Sequence, residues 1–207
     1  HRVERLQAGG QTIVVVPDLG GRLLEWHAHG HQWLASPDPD NTWQLYPMSE
    51  GYTEFAIFGL YGYQGWCENY RHAWRGDTLM LTATLQPDLH LTRTLRLSEG
   101  TLHLRSHLVN RGRTTARFTW GVGLHLNVAG SPQMVFNSKA GEKRLAWDAI
   151  PEGLGAATTL SGDQVPGGEW KVELPEHSLV HRFSGGTMER VIVGKVEAKH
   201  MLALDLR

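Results

Sequence analysis

The side chains best suited to chemistry gather in three places. From Phe118 to Val128 the chain alternates, with Phe118, Trp120, Val122, Leu124, Leu126 and Val128 on one face of an extended strand. Thr119, Gly121, Gly123, His125 and Asn127 then share the other. Glycine weakens a strand interior and is found there where something comes close to the backbone. Two glycines beside His125 and Asn127 describe either a shallow floor with one titratable ring and one amide, or a polar outer face with incidental glycines. The second place is Glu50 to Arg75, where Tyr61, Trp66 and Trp74 lie among Glu54, Glu68, Asn69, Arg71 and His72. Flat rings stack on the C–H faces of sugars, and carboxylates, amides and guanidinium forks hold hydroxyls. The same rings can equally form a small aromatic core beneath a loop. Glu54 and Glu68 also offer the two carboxylates a glycosidase requires.

The third place is His27, His29 and His31, whose alternation would aim three imidazoles from one strand face toward zinc or copper. Gly30 predicts a turn that breaks the alternation, and no Cys or carboxylate cluster completes a ligand set, so surface turn histidines are the reading and no metal is expected. Cys67 has no assured base and reads as an incidental thiol. Gly20-Gly21 lacks the Lys and the following helix of a phosphate loop, and no cofactor is expected.

These residues need a frame, and the pattern supplies strands. Of 207 residues, 24 are Gly and 9 Pro, which suits many short strands joined by tight turns. Ile13 to Val16 is a β-branched run closed by Pro17, and Arg22 to Ala28 follows the Gly20-Gly21 turn. Leu79, Leu81, Ala83 and Leu85 share a face, as do Leu89, Leu91, Leu95 and Leu97, then Leu102, Leu104 and Leu108. Ser36 to Arg75 lacks alternation and reads as long functional loops with short strands; Glu152 to Gly168 reads as a loop. The fold class is all-β, a sandwich or barrel, and one domain is expected over 1–207, with a longer parent chain left open by the initial His1.

Twenty Lys and Arg against 21 Asp and Glu give a formal charge of −1, which argues against a nucleic-acid partner. The apolar runs are far shorter than the ~20 residues of a membrane span, so no membrane partner is expected. One Cys forbids an internal disulfide and suits the cytoplasm. No targeting segment is read, and the oligomeric state is left open.

The runs Leu91 to Leu97, Thr101 to Gly112 and Phe118 to His125 resemble the central hairpins of the galactose mutarotase-like family, which includes aldose 1-epimerases and the sugar-binding sandwich domains of several glycosidases. Val109-Asn110-Arg111-Gly112 is similar to the family's turn, and Pro17 to Arg22 to its opening hairpin. The resemblance implies an antiparallel β-supersandwich whose concave face binds a hexose. It further implies acid–base ring opening, with His125 protonating the ring oxygen and Glu197 taking the anomeric proton. Arg71, Tyr61, Trp66, Trp74, Asn127 and Glu68 are the candidate sugar contacts. Tyr61 stands where the epimerases carry a second histidine, and Glu197 shares a strand face with Lys195 and Lys199, the look of a solvated, charge-paired surface. The expected function is a carbohydrate-binding domain resembling aldose 1-epimerase. The alternative is a non-catalytic sugar-binding or spacer domain of a larger glycoside hydrolase.

Overall fold

Alternation in the sequence becomes antiparallel pairing in the computed structural model, which describes residues 1–35, 51–59, 62–86, 88–128, 130–152, 157–183, 188–196 and 201–207. The chain divides into two compact units, His1–Leu124 and His125–Arg207. All regular elements of length among the described residues are strands, and no helix there is long and apolar enough to cross a membrane.

The first unit opens with β1 (Glu4–Ala8), β2 (Gln11–Val16), β3 (Arg22–Ala28) and the short β4 (His31–Gln32). After β5 (Tyr52–Phe58) and β6 (Gly62–Gln64) come β7 (Arg71–Arg75), β8 (Thr78–Leu85), β9 (Leu89–Ser98) and β10 (Thr101–Asn110), then β11 (Thr119–Asn127), whose residues from His125 on are counted with the second unit. One sheet runs in the order β1-β2-β3-β5-β11, with β4 on β3 and β6 on β5; a second, four-stranded sheet runs β10-β9-β8-β7. The register explains the core. Leu79 sits opposite Leu95 and Ala83 opposite Leu91, while Leu95 and Leu97 face Leu104 and Leu102. Leu79, Leu81, Leu85, Leu89, Leu91, Leu95 and Leu97 are all buried, each stabilising the fold by roughly 1.5–3 kcal/mol.

The segment expected as loops is more regular than its sequence suggests. It holds the seven-residue β5 and the five-residue β7. What ties it down is the tight turn after β2. The Gly20 N–H donates to the Glu68 carbonyl at 2.9 Å, and the Tyr70 N–H donates to the Pro17 carbonyl at 3.0 Å. Gly20 has φ +66°, and a Cβ there would lie 2.1 Å from the Trp66 carbonyl oxygen.

The second unit contains β12 (Gln133–Ser138), β13 (Gly141–Ala146), β14 (Thr158–Ser161), β15 (Glu169–Glu173), β16 (Ser178–Arg182), β17 (Arg190–Val196) and β18 (Met201–Leu206). One sheet has the order β13-β12-β15-β16, and β17 pairs with both β14 and β18. β14 and a 3-10 turn at Gly162–Gln164 fall within the stretch expected to be a plain loop.

Gly20→Ala is therefore predicted to be costly, because the new methyl meets rigid backbone and the left-handed φ adds about 1–2 kcal/mol by itself. Urea denaturation should show a loss above about 2 kcal/mol, whereas Gly10→Ala, where a Cβ meets nothing within 4 Å, should lose only the conformational part.

Candidate functional site

β11 is the natural starting point, since it carries His125 and Asn127. Its face bearing Gly121 is not bare. Gly121 is paired with Phe55 of β5, and a Cβ at Gly121 would lie 2.3 Å from the Phe55 ring. That ring is fully buried and leans on Tyr63, with centroids 5.7 Å apart. What approaches the backbone at Gly121 is therefore the protein's own phenyl group, and the expected floor is filled at this point. Further along the strand, His125 is only 3% exposed and Asn127 is half-buried. The imidazole is recessed rather than standing at an open surface.

The aromatic loop is held by its own polar groups. The Glu68 carboxylate accepts the N–H groups of Gly65 at 2.6 Å and Cys67 at 3.2 Å. Tyr70 is buried, and its hydroxyl donates to the Gly65 carbonyl at 2.8 Å. Glu68 thus caps a turn, and Tyr70 forms the small core beneath it. Trp66 is half-buried in the same turn. Burial and the nearby Glu68 carboxylate both push the Cys67 thiol up, which disfavours the thiolate a nucleophile needs.

Arg71 and Trp74 lie on opposite faces of β7, because successive side chains alternate. Trp74 remains exposed at the sheet edge, on the face shared with His72; its indole N–H donates to Glu4 at 2.8 Å and His72 pairs with the same carboxylate at 2.9 Å. Arg71 points outward. These two proposed sugar contacts do not converge.

The most developed polar cluster is one that spacing did not bring out. Glu54, which the sequence offers as one half of a glycosidase pair, is buried and bound to Arg93, with Nε to Oε2 at 2.8 Å. Arg93 occupies an inward position among the leucines of β9 and is fully buried. Its Nη1 donates to the carbonyls of Gly20 at 3.1 Å and Gly21 at 3.4 Å, and its guanidinium lies 5.4 Å from the Tyr70 ring centroid. Tyr52 donates to Glu54 Oε1 at 2.9 Å, and Ser106 donates to Oε2. Burial alone would pull Arg93 down, but the Glu54 carboxylate overrides it and holds the guanidinium above its ordinary value. Burial, assisted by Glu54, raises Tyr52 well above a normal phenol. Burial likewise pushes Tyr70 up to about 12.

In the second unit Lys195 departs from the solvated surface expected of its strand. It is buried, donates to the Trp147 carbonyl at 3.2 Å and lies 5.0 Å from the Trp147 ring centroid. Glu197 and Tyr61 lie outside the described residues. The histidine triplet is broken at a turn, where His29 has φ 52° and Gly30 has φ 75°. His27 pairs with Glu25 at 3.3 Å, and His31 meets Trp33 edge-on. Among the described residues no group of three or more His, Cys, Asp or Glu is placed to hold a metal.

No family model matches the sequence, and no curated protein matches it either. Solved structures do match. A protein of Synechocystis sp. PCC 6803 superposes with a TM-score of 0.76 over 99% of this chain and 84% of its own, at 14% identity. An Escherichia coli K12 protein provisionally assigned as an aldose 1-epimerase gives 0.69 over 99% and 87%, at 11% identity. A galactose mutarotase related enzyme from Lactobacillus acidophilus gives 0.64 over 99% and 84%, at 8% identity. The fold is galactose mutarotase-like.

Within this galactose mutarotase-like fold, the Arg93–Glu54 cluster braces the first unit from inside. Removing one partner of a buried ion pair leaves an uncompensated charge, typically at a cost of about 3–5 kcal/mol. Arg93→Met should lose about that much in urea denaturation, and adding Glu54→Leu should recover part of it. A Glu54→Leu chain no more stable in combination than Arg93→Met alone would show that the two groups are not coupled.

The raised phenols set a second expectation. In the unfolded chain Tyr70 ionises near 10, while the folded protein keeps its proton to about 12. The folded state then binds more protons, so its stability is intact below pH 10 and falls as pH rises toward 12, by ~1.4 kcal/mol per pH unit for this group. Tyr70→Phe should make that alkaline decline shallower, as read by denaturation at a series of pH values.

Proposed function

We propose that this chain is a carbohydrate-recognising domain that interconverts the anomers of a free aldose. His125 serves as the acid toward the ring oxygen, Glu197 as the base toward the anomeric hydroxyl, and Asn127 as a neighbouring hydrogen-bonding group. The observation that carries this reading is the breadth of the structural match: essentially the whole chain corresponds to most of a provisionally assigned aldose 1-epimerase and of a galactose mutarotase related enzyme. Both roles need groups that titrate near the working pH, and imidazole is the side chain most suited to the acid step. A recessed imidazole favours this work, since a sugar reaching it would be stripped of competing water.

A second reading has its own support. A similar fold makes up 40% of a TPR-domain containing protein from Parabacteroides distasonis, with a TM-score of 0.65, and 35% of a 4-alpha-glucanotransferase from Thermococcus litoralis, with 0.53. The domain would then bind sugar, or space other domains, without catalysis.

Freshly dissolved α-glucose and α-galactose, followed by NMR, separate the two. The catalytic reading predicts acceleration over buffer, with a loss of roughly 100-fold or more in His125→Gln and in Glu197→Gln. A rate equal to buffer, combined with a sugar-dependent rise in melting temperature, selects the binding module. Neither acceleration nor a thermal shift with any common hexose removes the catalytic and the sugar-binding readings and leaves the spacer.

A further inference from the structure

Strands β7 to β10 hold five arginines and four histidines, and not one Asp or Glu. Alternation divides these groups between the two faces of the sheet. Arg93 turns inward to Glu54 and His72 toward Glu4. The remaining basic residues stand on the outer face, where the register aligns them in rows. Arg71, Thr82, Thr92 and His107 form one row across the four strands, and Arg75, Thr78, Arg96 and His103 form another. Between them Arg105 lies beside Thr94. One carboxylate answers this charge: Asp77, in the β7–β8 turn, meets Arg96 at 2.7 Å, and that hydrogen bond holds its carboxyl below the usual range. Among the described residues no ion pair engages Arg71, Arg75 or Arg105. A shallow depression of about 280 Å³ opens on this face, lined by Thr92, Thr94, Arg105 and His107.

We propose that this outer face binds a linear anionic polysaccharide. Its sulfate or carboxylate groups would lie on Arg105 and Arg71, with the hydroxyls of Thr92 and Thr94 and the ring of His107 completing the contacts. The charge is concentrated rather than general, for the whole chain carries a formal −1, and a local field of one sign draws the opposite sign to it. Guanidinium forks can engage two oxygens of a carboxylate or of a sulfate at once, and hydroxyls can donate to the same oxygens. Neighbouring strands lie about 4.8 Å apart, so Arg71 on β7 and His107 on β10 are separated by roughly 14 Å, a reach that suits several charges along one chain rather than a single ion. The depression is open and small beside typical small-molecule pockets of about 300–1,000 Å³, as an extended ligand requires. The face also excludes two other polyanions by its chemistry. It bears no Trp, Tyr or Phe, so it lacks the stacking platform of single-stranded nucleic-acid binders and the apolar side needed to enter a membrane surface. The proposal concerns this outer face alone and is independent of anomer interconversion.

Heparin is the probe, titrated by calorimetry at low salt against the intact chain, with neutral dextran and single-stranded DNA as the other arms. Heparin should bind, weaken steeply as salt screens the contacts, and dextran should not bind. Arg71→Ser and Arg105→Ser should each weaken heparin about two- to fivefold and the double variant at least tenfold. Arg105→Lys should retain most of the affinity, and Arg182→Ser, in the second unit, should bind as the parent does. All these positions are exposed, so melting temperatures should stay near the parent's. Absence of heparin binding at low salt, an unaltered affinity in the double variant, or equal affinity for single-stranded DNA overturns the proposal.

Discussion

The first unit depends on a charge that it has to bury. Arg93 projects into an interior made of leucine, and a guanidinium there is tolerable only when its partner arrives from the facing sheet. Glu54 does so, and Nη1 of Arg93 reaches the Gly20 and Gly21 carbonyls. Three separate pieces of chain, β5, β9 and the turn after β2, thus meet at one group. Their registers follow. Because side chains alternate, sliding β9 or β5 by one residue would send the cation or the carboxylate to the opposite face and strand the other. An apolar pair of equal volume would hold the sheets together as firmly but would be far more indifferent to such a slip.

The leucine strands were legible in the sequence because each residue's neighbours within two positions declare its face. Arg93 was legible in principle, as the one charged member of the row Leu89, Leu91, Leu95 and Leu97, and the signal is the violation itself. Its partner was not. Glu54 lies in a stretch where aromatics and glycines hide the alternation of β5, and nothing local announces a partner on another sheet. Lys195 shows the same limit. Alternating with Glu197 and Lys199, it has the pattern of a solvated surface, yet the aromatic ring that covers it belongs to Trp147, 48 residues earlier. Net charge has a related limit, because a sum over the chain does not show how alternation and pairing distribute basic residues between faces.

On β11 the close approach that glycine permits is made by the protein itself. A missing Cβ marks a close approach without saying what approaches, and at Gly121 it is Phe55. The proposed anomer interconversion then rests, on that strand, on His125. A general acid has to come within about 3 Å of the atom it protonates, so the aldose would have to be received at a ring that is 3% exposed. The same architecture is found both as nearly whole proteins and as parts of larger ones, so function resides in the site and not in the fold.

The outer face of the four-stranded sheet raises a different kind of question, because its composition is not something the core demands. Packing constrains only the inward half of each strand. Outward positions of a strand are served well by threonine, and a soluble surface is most stable when charges of both signs are mixed. Here the rows instead place arginine, histidine and threonine together, with Arg75 and Arg96 on either side of Thr78 and Asp77 offsetting only Arg96, and like charges about two strand spacings apart repel weakly in water. A sheet built this way gives up some stability in the free protein. An anion laid across the rows would remove that repulsion while adding contacts of its own, so occupancy of the face and stability of the first unit are coupled through the same charges.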